Sequence, residues 1–174
     1  MAMQTLTVTR YFLLVTIVLA SGTIDADEAT YVPTDVPDAV QHLIATLDPD
    51  SLREARRELE DDFAVGQHFG LGLWMRNNWG LWGESRLAAY FKKLGIHHPD
   101  DMSAIVLHSL WRQLNDLPIN LESQVQCYKD WWTEQQRLEE QYGDNTGVPM
   151  PNFSCPNREI IWDKLPDKPV QHPG

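Results

Sequence analysis

A chain of 174 residues with a formal net charge of −11 has room for one domain of ordinary size, and nothing in it repeats at a fixed period. Its 25 acidic and 14 basic side chains disfavour nucleic acid and anionic lipid as partners. The densest basic segments, 53–57 and 92–93, are interleaved with acids or too short to form a basic patch. We therefore expect no nucleic-acid partner.

The amino-terminal segment has the layout of a secretory signal peptide. Arg10 precedes the apolar run 11–20, and the small residues Ser21 and Gly22 follow it. The run is too short to cross a bilayer comfortably, so we expect cleavage and no stable membrane span afterwards. An uncleaved amino-terminal anchor and a misassigned start are the alternatives. We predict a signal peptide over 1–22 and a periplasmic or secreted protein.

The remaining chain divides by composition. We predict a flexible lead-in over 23–33, a helical domain over 34–142 and a proline-rich tail over 143–174, because six of the eleven prolines lie after Tyr142. Cys127 and Cys155 are the two cysteines, and in an oxidising compartment such a pair favours a disulfide that would tether the tail. Two unpaired buried thiols and a redox pair are the alternatives.

Apolar spacing and capping residues predict an all-α fold, a compact bundle of five or six helices around a tryptophan-rich central helix. The first helix should start at Pro37, with Thr34 or Asp35 as its amino-terminal cap. The fourth helix should end at Gly95. The other predicted helices span Pro49–Glu60, Asp61–Gly80, Glu84 or Ser85 to Gly95, Pro99–Asn115 and Leu121–Tyr142.

The central helix contains the segment 68–85, which reads HFGLGLWMRNNWGLWGES. Helical spacing places Gly72, Met75, Trp79 and Trp82 on one stripe, with His68 on the same side, and such a stripe is usually core. Apolar residues on more than one side predict that the other helices surround this one. Gly70 and Gly72 indicate close helix contact or a ligand near the backbone, and Gly80 and Gly83 should mark the helix end.

The same segment allows a functional interpretation. His68, Arg76, Asn77 and Asn78 form a candidate polar cluster, in which a buried arginine could hold a carboxylate or phosphate.

The segment 97–101 (HHPDD) gathers two imidazoles and two carboxylates and so invites a metal hypothesis. Adjacent residues converge on one ion only in a tight loop, and no other metal motif accompanies them. His98 before a proline, followed by Asp100 and Asp101, also fits the first turn of a helix. We therefore favour the helix start and predict no metal and no cofactor.

Two blocks of this chain, the first at 68–82 and the second HPDDMS at 98–103, resemble a bacterial family known as domain of unknown function 6794. The similarity extends over roughly 36–133 and includes 119–121 and 128–130. The resemblance implies a compact, mainly helical domain and no named activity. The polar positions inside its motifs are the candidate site residues: His68, Arg76, Asn77, His98, Asp100 and Asp101.

Two functions compete. The first is a non-enzymatic binding module of inhibitor or immunity type, whose acidic surface meets a basic exported protein. The alternative is a small hydrolase-like enzyme, in which both motif blocks supply a general base and an anion clamp to one cleft. A structural envelope component is a third possibility. We favour the binding module and assign no catalytic residue.

Overall fold

Seven α-helical segments follow one another in the computed structural model, which describes residues 31–143. The all-α prediction is confirmed, and no strand occurs within that range. The predicted signal peptide and, apart from Gly143, the predicted proline-rich tail, including Cys155, lie outside the described residues. The bounds are α1 (Val36–Thr46), α2 (Pro49–Arg57), α3 (Glu60–Gly66), a π-helical turn (His68–Gly72), α4 (Leu73–Asn78), α5 (Arg86–Lys93), α6 (Pro99–Leu114) and α7 (Leu121–Tyr142).

Capping residues set most of the helix starts where the sequence predicts them. The Asp35 side chain accepts a hydrogen bond from the Asp38 backbone N–H at 2.9 Å, and the Ser85 hydroxyl accepts one from Ala88 at 3.1 Å. These bonds satisfy amide groups that have no partner inside a helix. After the carboxyl-terminal end of α5, Gly95 (φ +87°) adopts the left-handed conformation that glycine accepts at little cost.

The central helix is divided, contrary to the continuous helix predicted over 61–80. Gly70 adopts φ −92° and ψ −106°, outside the helical region, and the π-helical turn separates α3 from α4. The Gln67 carbonyl accepts hydrogen bonds from the backbone N–H groups of both Gly70 and Gly72, at 3.2 and 2.8 Å. A residue without Cβ is the natural place for this distortion, and the division raises the helix number to seven.

Helix α6 is the element that the other helices surround, so the prediction that the tryptophan-rich helix lies at the centre is wrong. Helix α6 contacts α1, α2, α3, the π-helical turn, α4, α5 and α7. Its side chains from Ile105 to Arg112 are all buried, whereas the α3–α4 segment buries only one face. The reason is that apolar residues lie on every side of α6, as in the consecutive buried residues 105–107, while Gly70 and Gly80 interrupt the other segment.

The predicted tryptophan stripe is correct for three of its four members. Gly72, Met75 and Trp79 are buried, but Trp82 is 61% exposed. The left-handed backbone at Gly80 (φ +62°) ends the helix before Trp82 and turns that residue away from the stripe. None of the helices within 31–143 is long and apolar enough to cross a membrane.

Candidate functional site

A buried arginine joins the two motif blocks. Arg76, on α4, is 2% exposed, and its Nε lies 3.0 Å from Oδ1 of Asp100 at the start of α6, close enough for an ion pair but not aligned as a hydrogen bond. Its Nη1 donates to the Ser103 hydroxyl at 2.8 Å, and its Nη2 donates to the His68 carbonyl at 3.1 Å. Both Nη atoms thus donate hydrogen bonds, while Nε takes part only in the ion pair, and we call this group of residues the Arg76 clasp.

Two histidines lie beside the clasp. His68 Nε2 is 4.0 Å from Asp100 Oδ1, and His98 Nδ1 is 3.7 Å from Asp100 Oδ2. His98 Nδ1 also accepts the Asp100 backbone N–H at 3.3 Å, which makes His98 the amino-terminal cap of α6. The Ser103 hydroxyl donates to the Asp100 carbonyl at 2.9 Å and is 1% exposed, so it cannot reach a substrate. The arrangement connects the π-helical turn and α4 to α6, and its one hydroxyl group is buried.

The next carboxylate faces a different neighbour. Asp101 Oδ2 accepts a hydrogen bond of 2.7 Å from the indole N–H of Trp132 on α7. Burial raises the pKa of Asp101, against the lowering effects of the Trp132 hydrogen bond and of His98 nearby. Because Asp100 and Asp101 turn to separate partners, the HHPDD side chains do not converge on one point. Within 31–143 no group of three potential metal ligands lies together.

The two asparagines of the first block lie outside the clasp. Asn77 is exposed and accepts a hydrogen bond from the Trp82 indole N–H at 3.2 Å, while Asn78 donates to the Trp74 carbonyl at 2.8 Å. Of the six candidate residues, the structure brings together His68, Arg76, His98 and Asp100. It places Asn77 and Asp101 elsewhere. Ser103 is the member that sequence reasoning missed, although it shares a helical face with Asp100 three residues earlier.

A second buried polar group was also missed. Glu60, at the start of α3, accepts hydrogen bonds from Arg112 Nε at 2.8 Å and pairs with His108 Nδ1 at 3.1 Å. Both partners are buried on α6 and lie four residues apart, so they present their polar atoms on one face. The four-residue spacing of His108 and Arg112 was the sequence feature that could have revealed this group. His108 is therefore a packed side chain, as expected for a lone histidine.

The outer face of the central segment carries an apolar ridge. Val65 (75% exposed), Phe69 (81%) and Leu73 (38%) are spaced four residues apart, and Trp74 (44%) directly follows Leu73. Exposed Asp62 lies one turn before Val65, and exposed Asn77 and Asn78 follow Trp74. Scattered exposed apolar residues are ordinary, but four within the segment 65–74 are a concentration of exposed apolar surface.

A separate cleft lies between the segment before α6 and the helix α7. Its volume is about 480 Å³, and its lining is mostly apolar. We call it the histidine cleft, after two of its lining residues: Gly95, His97, His98, Lys129, Trp132 and Thr133.

Comparison with known proteins gives one match. The family model described as "Domain of unknown function (DUF6794)" matches residues 32–114, which confirms the resemblance found in the two motif blocks. The matched range ends with α6, so the expected extension of the similarity to residue 133 lies outside it. No curated protein and no solved structure matches the chain.

Proposed function

We propose that this protein, whose residues 32–114 match the DUF6794 family model, is an exported, non-enzymatic binding module that recognises a basic protein through the apolar ridge. The observation that carries the proposal is the exposure of two large aromatic side chains, Phe69 and Trp74, within the segment 65–74. Large aromatic side chains supply most of the binding energy in protein interfaces, usually at the centre of a polar rim. Here Asp62 and Asn77 would belong to that rim.

The lack of exposed lysine and arginine in the segment that carries the ridge favours a basic partner. Between Glu60 and Ser85, Arg76 is the one lysine or arginine, and it is buried in the clasp. The exposed surface of α3 and α4 therefore presents carboxylates, neutral amides and apolar side chains, without a lysine or arginine. The whole chain also carries a net charge of −11. Complementary charge accelerates association and excludes wrong partners, so a basic partner with an apolar patch fits best.

The clasp supports binding rather than catalysis. An anion clamp needs guanidinium donors that face a cavity, but the two Nη groups of Arg76 donate to Ser103 and to the His68 carbonyl, and Asp100 supplies the counter-charge within the fold. A rigid scaffold beneath exposed aromatic anchors is what an inhibitor or immunity-type module requires, because preorganisation reduces the entropy lost on binding.

The test is direct binding of the mature protein to purified basic exported proteins of the source organism, at low and at high salt. A supporting result is a salt-sensitive complex that Phe69→Ser and Trp74→Ser weaken about tenfold or more each, as expected of interface anchors. Tyr142→Ser is the matched control, because Tyr142 is also an exposed aromatic (49%) but lies at the end of α7. A complex unaffected by the ridge variants, or no complex across the panel, would overturn the proposal.

Export and the disulfide are part of the same proposal. The segment 1–22 carries the features of a signal peptide, and Cys127 is buried on α7. We propose that Cys127 pairs with Cys155 after export, and a loop of this length would add about 3 kcal/mol on a chain-entropy estimate. Amino-terminal sequencing and non-reducing peptide mass spectrometry of the exported protein test both points. An intact Met1, or peptides that carry both thiols free, would contradict them.

A further inference from the structure

The histidine cleft differs in charge from the rest of this acidic protein. Its lining contains an ammonium group and two imidazoles but no carboxylate: Lys129, His97 and His98. No carboxylate within 31–143 lies within 4.0 Å of the Lys129 ammonium, whereas Lys92 pairs with Glu84 at 2.6 Å. His98 Nδ1 lies 3.7 Å from Asp100 Oδ2, so the Lys129 ammonium is the cation of this cleft that has no carboxylate beside it among residues 31–143, and it favours an anionic ligand.

The cleft also presents a fixed aromatic surface. Trp132 is 43% exposed, and its indole N–H is already bound by Asp101 at 2.7 Å. That bond leaves the ring, rather than its polar atom, as the part that faces the cleft. The His98 ring lies beside it, with 5.8 Å between the ring centroids. Such a surface suits a flat ring that stacks or packs edge-on.

The glycine at the edge of the cleft shows how Lys129 reaches it. A Cβ at Gly95 would lie 3.5 Å from Lys129 Cε and 3.6 Å from Nζ, so the lysine chain crosses directly over the glycine backbone. Gly95 also needs its positive φ of +87° to end α5. The turn that ends α5 and the placement of the ammonium therefore depend on the same residue.

We propose that the histidine cleft binds a small organic anion with a flat ring, of the aromatic carboxylate class. The Lys129 ammonium would pair with the carboxylate, the imidazole N–H groups of His97 and His98 would donate to it, and the ring would pack on Trp132. The volume of about 480 Å³ lies within the usual range of small-molecule sites, roughly 300–1,000 Å³. This site is separate from the apolar ridge and does not depend on the proposed protein partner.

The experiment is a fluorine NMR titration of the full-length protein with 4-fluorophenylacetate, and with 2-(4-fluorophenyl)ethanol as the neutral analogue. We expect saturable binding of the acid and about tenfold weaker binding of the alcohol, the ratio that corresponds to roughly 1.4 kcal/mol. Proton–nitrogen spectra should show the Trp132 indole resonance shifting with the acid.

Variants locate the site. Lys129→Gln should abolish the preference for the acid, while Lys93→Gln, an exposed lysine outside the cleft, should keep it. Trp132→Leu should weaken the binding of the acid and of the alcohol to the same extent. Phe69→Ser should leave the binding of both compounds unchanged, which separates this site from the ridge. Equal binding of acid and alcohol, an unchanged preference in Lys129→Gln, or no saturable binding of the acid would each overturn the proposal.

Discussion

Arg76 on α4 and Asp100 in the first turn of α6 form an ion pair of 3.0 Å, in which the arginine is almost fully buried and the carboxylate remains 37% exposed. The pair joins the first motif block to the second. The arginine also bonds to Ser103 and to the His68 carbonyl, so one guanidinium fixes the π-helical turn, α4 and the start of α6 together. The polar residues shared by the two blocks therefore stabilise the scaffold beneath the ridge.

Replacing Arg76 should destabilise the fold strongly. Arg76→Met leaves Ser103 and the His68 carbonyl without their donor and Asp100 without its counter-charge, and removal of one member of a buried pair costs about 3–5 kcal/mol. Because water can reach Asp100, we expect a loss near the lower end, about 3 kcal/mol. Urea unfolding followed by circular dichroism measures it.

The matched control is Arg53→Met, which removes an exposed arginine paired with exposed Asp50 on α2. Such surface pairs contribute about 0–1 kcal/mol. A loss in Arg76→Met no larger than in this control would show that the clasp is not a stabilising element.

Local signals account for most of the predicted fold. The starts of α1, α5 and α6 follow from Asp35, Ser85 and His98, because a cap acts on backbone groups two or three residues away. The ends at Gly80 and Gly95 follow from a single residue type with access to positive φ. These features need no knowledge of the tertiary structure, which is why a single sequence reveals them.

The remaining features depend on contacts between distant segments. Nothing local distinguishes exposed Phe69 from buried Met75, since both are apolar residues of one helical segment. The partner of Arg76 could likewise not be chosen in advance among the carboxylates of the chain. Trp132 and Lys129 reach the HHPDD segment only because α7 packs against α6. The structure therefore brings four of the six candidate residues together, and the cleft was not predicted.

Two glycines should respond to alanine in opposite directions. A Cβ at Gly72 would lie 3.1 Å from the Gln67 carbonyl oxygen and 3.2 Å from Arg76 Nη1, whereas a Cβ at Gly66 would meet nothing within 4 Å. We expect Gly72→Ala to lose about 1–2 kcal/mol through overpacking against the clasp. Gly66→Ala should gain up to about 1 kcal/mol through helix propensity. Thermal and urea unfolding of both variants checks this, and equal changes of the same sign would contradict it.

The Glu60 group should also be a stabilising element. Glu60→Gln keeps an acceptor oxygen but removes the negative charge opposite buried Arg112. Hydrogen bonds to charged groups contribute about 1.5–3 kcal/mol, so we expect a loss of about 2 kcal/mol in urea unfolding. Glu84→Gln is the control, since Glu84 is 83% exposed in its pair with Lys92 and should change stability little. Equal losses in the two variants would refute a special role for Glu60.

The stability should depend on pH through Asp101. Burial raises its pKa above the ordinary value of 3.8, so the folded protein holds a proton on this carboxyl over a pH interval in which the unfolded chain has lost it. Over that interval the free energy of unfolding falls as the pH rises, and the contribution is constant above the folded pKa. Asp101→Asn removes the titrating group while its amide oxygen can still accept the Trp132 N–H.

The stability of Asp101→Asn minus that of the wild type should therefore increase as the pH rises from about 3 through the folded pKa of Asp101. Urea unfolding at a series of pH values measures this difference. Trp132→Phe provides an independent check by carbon NMR titration of the Asp101 carboxyl. The indole N–H lowers the pKa of Asp101, so its removal should raise that pKa further. A stability difference that instead decreases as the pH rises would mean that the Trp132 hydrogen bond and the nearby imidazole outweigh burial. The carboxylate would then be an anion stabilised by the Trp132 N–H.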